Sequence, residues 1–116
     1  MKEKINLKRL LTEPEQTHAK QIELFALLNL GMLEAVSQGL MSTSEAVQTF
    51  FYVENCLFVR QQMRNRTADE IMSRGVALPD LFDVLPPHLA QREFRRELSK
   101  MHALCLALLE LEAAVA

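Results

Sequence analysis

Residues that could bind a metal or act as nucleophiles are few in this sequence. His102 and Cys105 lie three positions apart, a spacing that can ligate zinc on a helix. No second pair accompanies them, and Cys105 falls in the middle of an apolar pattern. Cys56 is isolated among apolar neighbours, and His18 stands alone near the start of a helical pattern. We therefore predict no metal site, no cofactor and no catalytic residue, and we interpret both cysteines as small apolar residues.

Carboxylates gather in and after a proline-bracketed segment. Asp80 and Asp83 lie inside it, and Glu93 and Glu97 follow on the next segment. Paired carboxylates can serve acid–base or metal chemistry. Asp80, however, follows Pro79 directly, where its charge interacts favourably with the dipole at the start of a helix. A structural role is the prediction.

Arg60, Arg64 and Arg66 form a basic cluster in a segment, 56–67, that contains no acid. Such a cluster suggests a weak nucleic-acid-binding regulator as the alternative function. Arg60 and Arg64, however, fall near the end of a predicted helix, where cations interact favourably with the dipole. The net charge of −2 also argues against a protein that lives on nucleic acid or on an anionic membrane. Nucleic acid is therefore not the expected partner.

Length and hydropathy favour one domain in the cytoplasm. A chain of 116 residues forms a single domain, 1–116, and its basic first residues, 1–12, could form a flexible N-terminal arm. The segment "MKEKINLKRLL" lacks the long apolar stretch of a signal peptide. The most apolar runs, 24–33 and 103–116, are too short and too interrupted by polar residues to span a bilayer. We expect a cytoplasmic protein with two free thiols and no membrane partner.

Helical periodicity dominates the chain. A first long helix is predicted from about Pro14, a residue favoured in a first turn, to Gly39, a residue favoured just after a helix end. Ser42 and Glu45 then have the spacing of a capping box, so residues 34–46 are predicted to be a tight helix–helix joint.

The rest of the chain is predicted to continue the helical pattern. The next helical stretch, 43–63, has a break near Tyr52–Asn55, and a short helix follows from a second capping box at Thr67 to Gly75. Pro87 starts the last long helix. The prediction is an all-α small helical bundle in which two long antiparallel helices are crossed by three or four short ones.

Apolar residues exceed what one helical face can bury. The last helix is apolar nearly all round beyond Met101, and the first long helix carries leucines opposite its predicted core side. Helices of this kind are central in a domain or part of an interface. We therefore predict a non-enzymatic protein that associates with itself as a homodimer, or with another protein as an accessory subunit. The expected interface residues are Leu104, Leu106, Leu108, Leu111, Leu27 and Leu30. A third hypothesis is a small-molecule pocket around Asn29 and His102.

Two runs, "LGMLEAVSQGLMSTSEA" and "RGVALPDLFDVLP", resemble a family of small bacterial proteins of unknown function. The resemblance covers residues 28–110 and departs from the family pattern at Ala77 and Pro79, where acids are expected. It implies a bacterial, cytoplasmic, helical protein and adds no reaction. The matching residues are Gly39, Ser42, Glu45, Ala46, Gly75, Leu78, Asp80, Leu85 and Pro86.

Overall fold

The described part of the chain folds into seven α-helices and contains no strand. The computed structural model describes residues 3–13 and 15–115, with side chains as far as Leu111. The expected all-α fold is confirmed. The described helices are α1 (Leu7–Thr12), α2 (His18–Ser37), α3 (Thr43–Thr49), α4 (Val53–Phe58), α5 (Arg66–Ala77), α6 (Asp80–Val84) and α7 (Pro87–Val115), and a π-helical turn, Val59–Met63, continues α4.

Residues 7–12 form α1, where the sequence suggested a flexible arm over residues 1–12. Leu7 and Leu11 lie one helical turn apart, and both are fully buried. The start of α1 is fixed from a distance, because the side-chain oxygen of Asn55 accepts a hydrogen bond from the Leu7 N–H at 3.1 Å. Asn6 caps the same helix by accepting from the Arg9 N–H. α1 adds a fifth shorter helix to the three or four predicted.

The first long helix, α2, starts later than the sequence suggested. Thr17 caps it by accepting a hydrogen bond from the Lys20 N–H at 3.1 Å. Glu13 follows the end of α1. Pro14, the predicted first-turn residue, lies outside the described residues.

The joint between α2 and α3 is confirmed as predicted. Gly39 has a φ of +74°, a left-handed conformation that glycine adopts without steric cost. The Glu45 N–H donates to the Ser42 hydroxyl at 3.0 Å, and the Ser42 N–H donates to the Glu45 carboxylate at 3.1 Å. These reciprocal bonds satisfy two amide groups at the start of α3 that the helix itself leaves unpaired.

The turn between α4 and α5 differs from the prediction. Arg64 ends the π-helical turn in the left-handed conformation, with a φ of 51°. Asn65, rather than Thr67, caps α5 by accepting from the Ala68 N–H at 2.9 Å. Gly75 lies buried inside α5 and does not end it. The space that a side chain at this position would occupy is filled by the Phe51 ring.

The two long helices, α2 and α7, make the most extensive contact in the molecule. Val36 shares a small surface pocket with Phe94, and Leu33 shares another with Leu98 and His102. Earlier residues of α2 therefore meet later residues of α7. The 29 residues of α7 extend about 44 Å at 1.5 Å per residue. This length equals the longest dimension of the molecule, 44 Å. Within the described residues no helix is both long enough and apolar enough to cross a bilayer.

Candidate interaction surfaces

One continuous exposed surface runs along α7 and borders its contact with α2. All its residues are exposed, and each except the last is followed by another three or four positions later. We call this surface the α7 outer face, made of Arg95, Ser99, His102, Ala103, Leu106 and Glu110. The adjoining sides of the helix supply Leu98, Met101 and Cys105 to the core. The middle of the α7 outer face carries small or apolar residues beside His102, and its two ends carry opposite charges.

The amino-terminal half of this face is basic because the nearby acids are already paired. The Glu93 carboxylate lies 3.2 Å from the Arg96 guanidinium. The Glu97 carboxylate lies 2.7 Å from the guanidinium of Arg74 on α5. Among the described residues, neither Arg95 nor Glu110 has an ion-pair partner. The two unpaired charges are thus available to a second molecule.

The leucines predicted to form an interface divide into three groups. Leu106, Leu27 and Leu111 are 39%, 48% and 65% exposed. Leu30 and Leu104 are partly buried against the core. Leu108 is only 5% exposed and packs inside the core, so this residue is not part of the surface. It follows Cys105 and Met101 on the buried stripe of α7.

The exposed leucines also lie on different sides of α7. At about 100° per residue, Leu106 and Leu111 point to opposite flanks of the helix. The register between the long helices places Leu27 and Leu30 of α2 at the level of residues 102–108 of α7. Leu27, Leu30 and Leu106 therefore lie at a similar level along the α2–α7 pair.

The basic cluster surrounds the turn between α4 and α5. Arg60 donates from Nε to the Asp69 carboxylate at 3.2 Å. Arg64 donates from Nε to the Gln61 carbonyl at 3.3 Å. Arg66 is exposed in the first turn of α5. All three are near one another along the chain, but two of them already have acceptors within the protein.

The residues with potential for chemistry do not converge. His102 is exposed and Cys105 is fully buried, so they face different environments. Burial raises the pKa of the Cys105 thiol to about 12, which keeps it protonated. His18, Asp80 and Asp83 are exposed at the surface. No group of three metal-ligating side chains occurs in the part of the chain that the structure describes.

The pocket hypothesis around Asn29 and His102 is not supported by their positions. Asn29 is fully buried, and its amide nitrogen donates to the Phe25 carbonyl at 3.0 Å. Its side-chain oxygen has no partner among the described residues. His102 lines a small surface pocket with Leu33 and Leu98, and Asn29 is not among the residues around it.

A groove that sequence reasoning missed lies between α3, α4 and α5. Its volume is about 700 Å³. We call it the α3–α5 groove; its apolar lining residues are Val47, Phe51, Val53, Cys56, Leu57 and Val76. Among the described residues that line it, the only charged ones are Lys4 and Arg60. Val53 and Leu57 of α4 and Val76 of α5 are exposed apolar residues. Only the packing of the helices reveals that they share a surface.

Comparison with known proteins identifies the family without assigning an activity. The family model described as "Protein of unknown function (DUF3969)" matches residues 16–114. Searches of curated proteins and of solved structures found no match. The match begins after α1 and includes both long helices, the α7 outer face and most of the α3–α5 groove. The resemblance read from residues 28–110 is confirmed, and the chain belongs to this family of proteins of unknown function.

Proposed function

We propose that the protein is a non-enzymatic cytoplasmic protein that acts by association with a second copy of itself through the α7 outer face. The observation that supports this proposal is the self-complementarity of that face. Two free thiols, one buried and one partly buried, fit a reducing compartment.

The complementarity follows from the positions of six residues. A two-fold axis crossing α7 midway between His102 and Ala103 would bring two outer faces together in antiparallel orientation. Arg95 of one copy then opposes Glu110 of the other, and Ser99 opposes Leu106. His102 and Ala103 meet near the axis. In an isologous dimer every contact occurs twice, so one helix supplies two salt bridges and two Leu106 contacts.

The middle of the face suits close packing of helices. Ser99 and Ala103 are small, so the Leu106 side chain of a second copy can fit between them. Leu27 and Leu30 extend the apolar area onto α2 at the same level. Burying such exposed leucines supplies the favourable free energy of association, at about 25 cal/mol for each Å² removed from water. The charges at the two ends specify the antiparallel orientation.

The test is light scattering behind size exclusion over a wide range of protein concentration. Wild type is expected to form a dimer. Arg95→Glu turns two attractive contacts into two repulsive ones, and Glu110→Arg does the same. If each contact changes by about 1.4 kcal/mol, Kd rises about a hundredfold. The double variant Arg95→Glu/Glu110→Arg restores opposite charges and should restore the dimer.

Arg66→Glu is the matched control, because it changes the net charge equally at an exposed site on α5 that is not part of the α7 outer face. Its Kd should equal that of wild type. A wild-type protein that stays monomeric at every concentration would contradict self-association and leave the accessory-subunit hypothesis. The alternative of nucleic-acid binding predicts salt-dependent retention on DNA that is lost when Arg60, Arg64 and Arg66 are replaced by alanine.

A further inference from the structure

The α3–α5 groove combines an apolar floor with cations at its edge. Its volume of about 700 Å³ falls within the range of small-molecule sites, which are mostly apolar with a few polar groups. Both charged residues that line it in the described part of the chain are cations. We propose that this groove binds an aliphatic monocarboxylate, with the chain against the apolar lining and the carboxylate on Lys4 and Arg60.

Lys4 is positioned by the backbone of the residue that follows it. The Ile5 N–H donates to the Thr49 carbonyl at 2.7 Å. The Ile5 carbonyl accepts from the Tyr52 hydroxyl and from the Asn55 amide nitrogen, each at 2.8 Å. The Lys4 ammonium itself lies 4.8 Å from the centroid of the Tyr52 ring, a cation–π distance. These contacts hold a lysine near the chain terminus over the groove.

Arg60 is positioned by α5. Its Nε donates to the Asp69 carboxylate at 3.2 Å, and its terminal nitrogens have no partner among the described residues. A guanidinium held in this way still presents donors suited to a second carboxylate. The pair with Asp69 is exposed, so this arginine is not neutralised in a buried ion pair.

The apolar floor includes three exposed side chains, those of Val53, Leu57 and Val76. Val53 is 68% exposed, although it stands at the first position of α4, where a polar residue would be equally compatible with the helix. Leu57 and Val76 are exposed on the facing sides of α4 and α5. An aliphatic chain would remove this area from water without requiring hydrogen bonds.

Cys56 provides an internal probe for occupancy. Its thiol lies in the groove, 3.8 Å from the Phe51 carbonyl oxygen. Burial raises the pKa of this thiol, and the positive charge of Arg60 opposes that increase. Cys105, the only other cysteine, is fully buried, so alkylation in the folded protein reports on Cys56.

The experiment measures binding of hexanoate, octanoate and decanoate by calorimetry, below their micelle concentrations, with decan-1-ol and decylamine as controls. Decanoate should bind at one site per chain. Each added pair of methylene groups should lower Kd about fifteenfold until the groove is filled. Saturating decanoate should slow alkylation of Cys56 by iodoacetamide, measured by intact mass.

Variants separate the carboxylate from the chain. Lys4→Gln and Arg60→Gln should each weaken decanoate binding at least about tenfold, the loss expected for one charge-assisted hydrogen bond. Lys100→Gln, an exposed lysine on α7, is the control and should leave Kd unchanged. Val53→Glu should abolish binding, whereas Val84→Glu, at another exposed valine outside the groove, should not.

The proposal is overturned if no alkanoate binds saturably, if decan-1-ol or decylamine binds as tightly as decanoate, or if neither cation variant changes Kd. The groove shares no residue with the α7 outer face. Arg95→Glu, which tests self-association, should therefore bind decanoate with wild-type affinity, so that each proposal can fail separately.

Discussion

Replacement of Gly75 by alanine should destabilise the protein, although it improves the helix propensity of α5. A Cβ atom at position 75 would lie 2.3 Å from Phe51 Cδ1, 2.4 Å from Cε1 and 2.6 Å from Cγ. Favourable contacts between carbon atoms occur at about 3.5–4.0 Å. Rotation of the ring about χ2 does not move Cγ, so relief requires a new χ1 rotamer of a fully buried ring or a shift of α5.

The magnitude follows from two opposing effects. Alanine gains about 1 kcal/mol over glycine inside a helix. Overpacking of a core costs about 1–3 kcal/mol and occasionally more, and a required displacement of over about 1 Å places this site at the upper end. The net expectation is a free energy of unfolding lower by about 2 kcal/mol and a Tm lower by about 10 °C. Urea denaturation of variant and wild type gives the free energy of unfolding, and thermal denaturation gives Tm, both followed by circular dichroism.

The other two glycines of the chain serve as matched controls. Gly31→Ala lies in α2 with no atom within 4 Å of the new Cβ, so it should stabilise by up to about 1 kcal/mol. Gly39→Ala should destabilise by about 1–2 kcal/mol, because its φ of +74° is strained for alanine. If Gly75→Ala proves as stable as Gly31→Ala, the packing of Phe51 against α5 is refuted. Phe51→Leu in the Gly75→Ala background should recover part of the loss in a double-mutant cycle.

Three other substitutions test what stabilises the fold. Asn55→Ala should lower the free energy of unfolding by about 3 kcal/mol and expose α1 to hydrogen exchange. It removes bonds to Leu7, Ile5 and Phe50 at 3.1, 2.8 and 2.7 Å. Arg64→Gly should stabilise by about 0.5–1 kcal/mol in urea denaturation, since φ is 51° there. Burial raises the pKa of the Cys105 thiol from 9.0 to about 12. The contribution of this thiol to the free energy of unfolding is therefore intact below about pH 9 and is lost as pH rises toward 12. Between pH 8 and 10.5 wild type should lose about 2 kcal/mol more than Cys105→Ala, measured by urea denaturation at each pH.

Local signals in the sequence predicted the features whose causes are local. Gly39, Ser42 and Glu45 form their joint through neighbours a few residues away, and Pro87 starts α7 as expected. The all-α class follows from periodicity that extends over most of the chain. These features were correct because no distant residue decides them.

Features decided by distant residues were missed. Glycine is common at helix ends, so the sequence predicted that Gly75 ends a helix. In the structure Gly75 instead packs against the ring of Phe51, a residue of the turn after α3. α1 is stabilised because the Asn55 side chain accepts a hydrogen bond from the Leu7 N–H and because Leu7 and Leu11 are buried in the core. The α3–α5 groove is lined by residues of several separate segments, among them exposed valine and leucine side chains that the sequence does not place together. The interface formed by the leucines stays a prediction; among them Leu27, Leu106 and Leu111 are exposed, whereas Leu108 is buried in the core.

The most direct test of self-association through α7 is a mixing experiment with the two charge-reversal variants. Arg95→Glu and Glu110→Arg are each expected to be monomeric when separate at a concentration where wild type is dimeric. When mixed, residue 95 of one variant and residue 110 of the other carry opposite charges at both ends of the antiparallel pair. Sedimentation velocity should therefore show a heterodimer that appears only in the mixture. Two variants that remain monomeric together, or that each dimerise as well as wild type, would contradict the antiparallel α7 pairing.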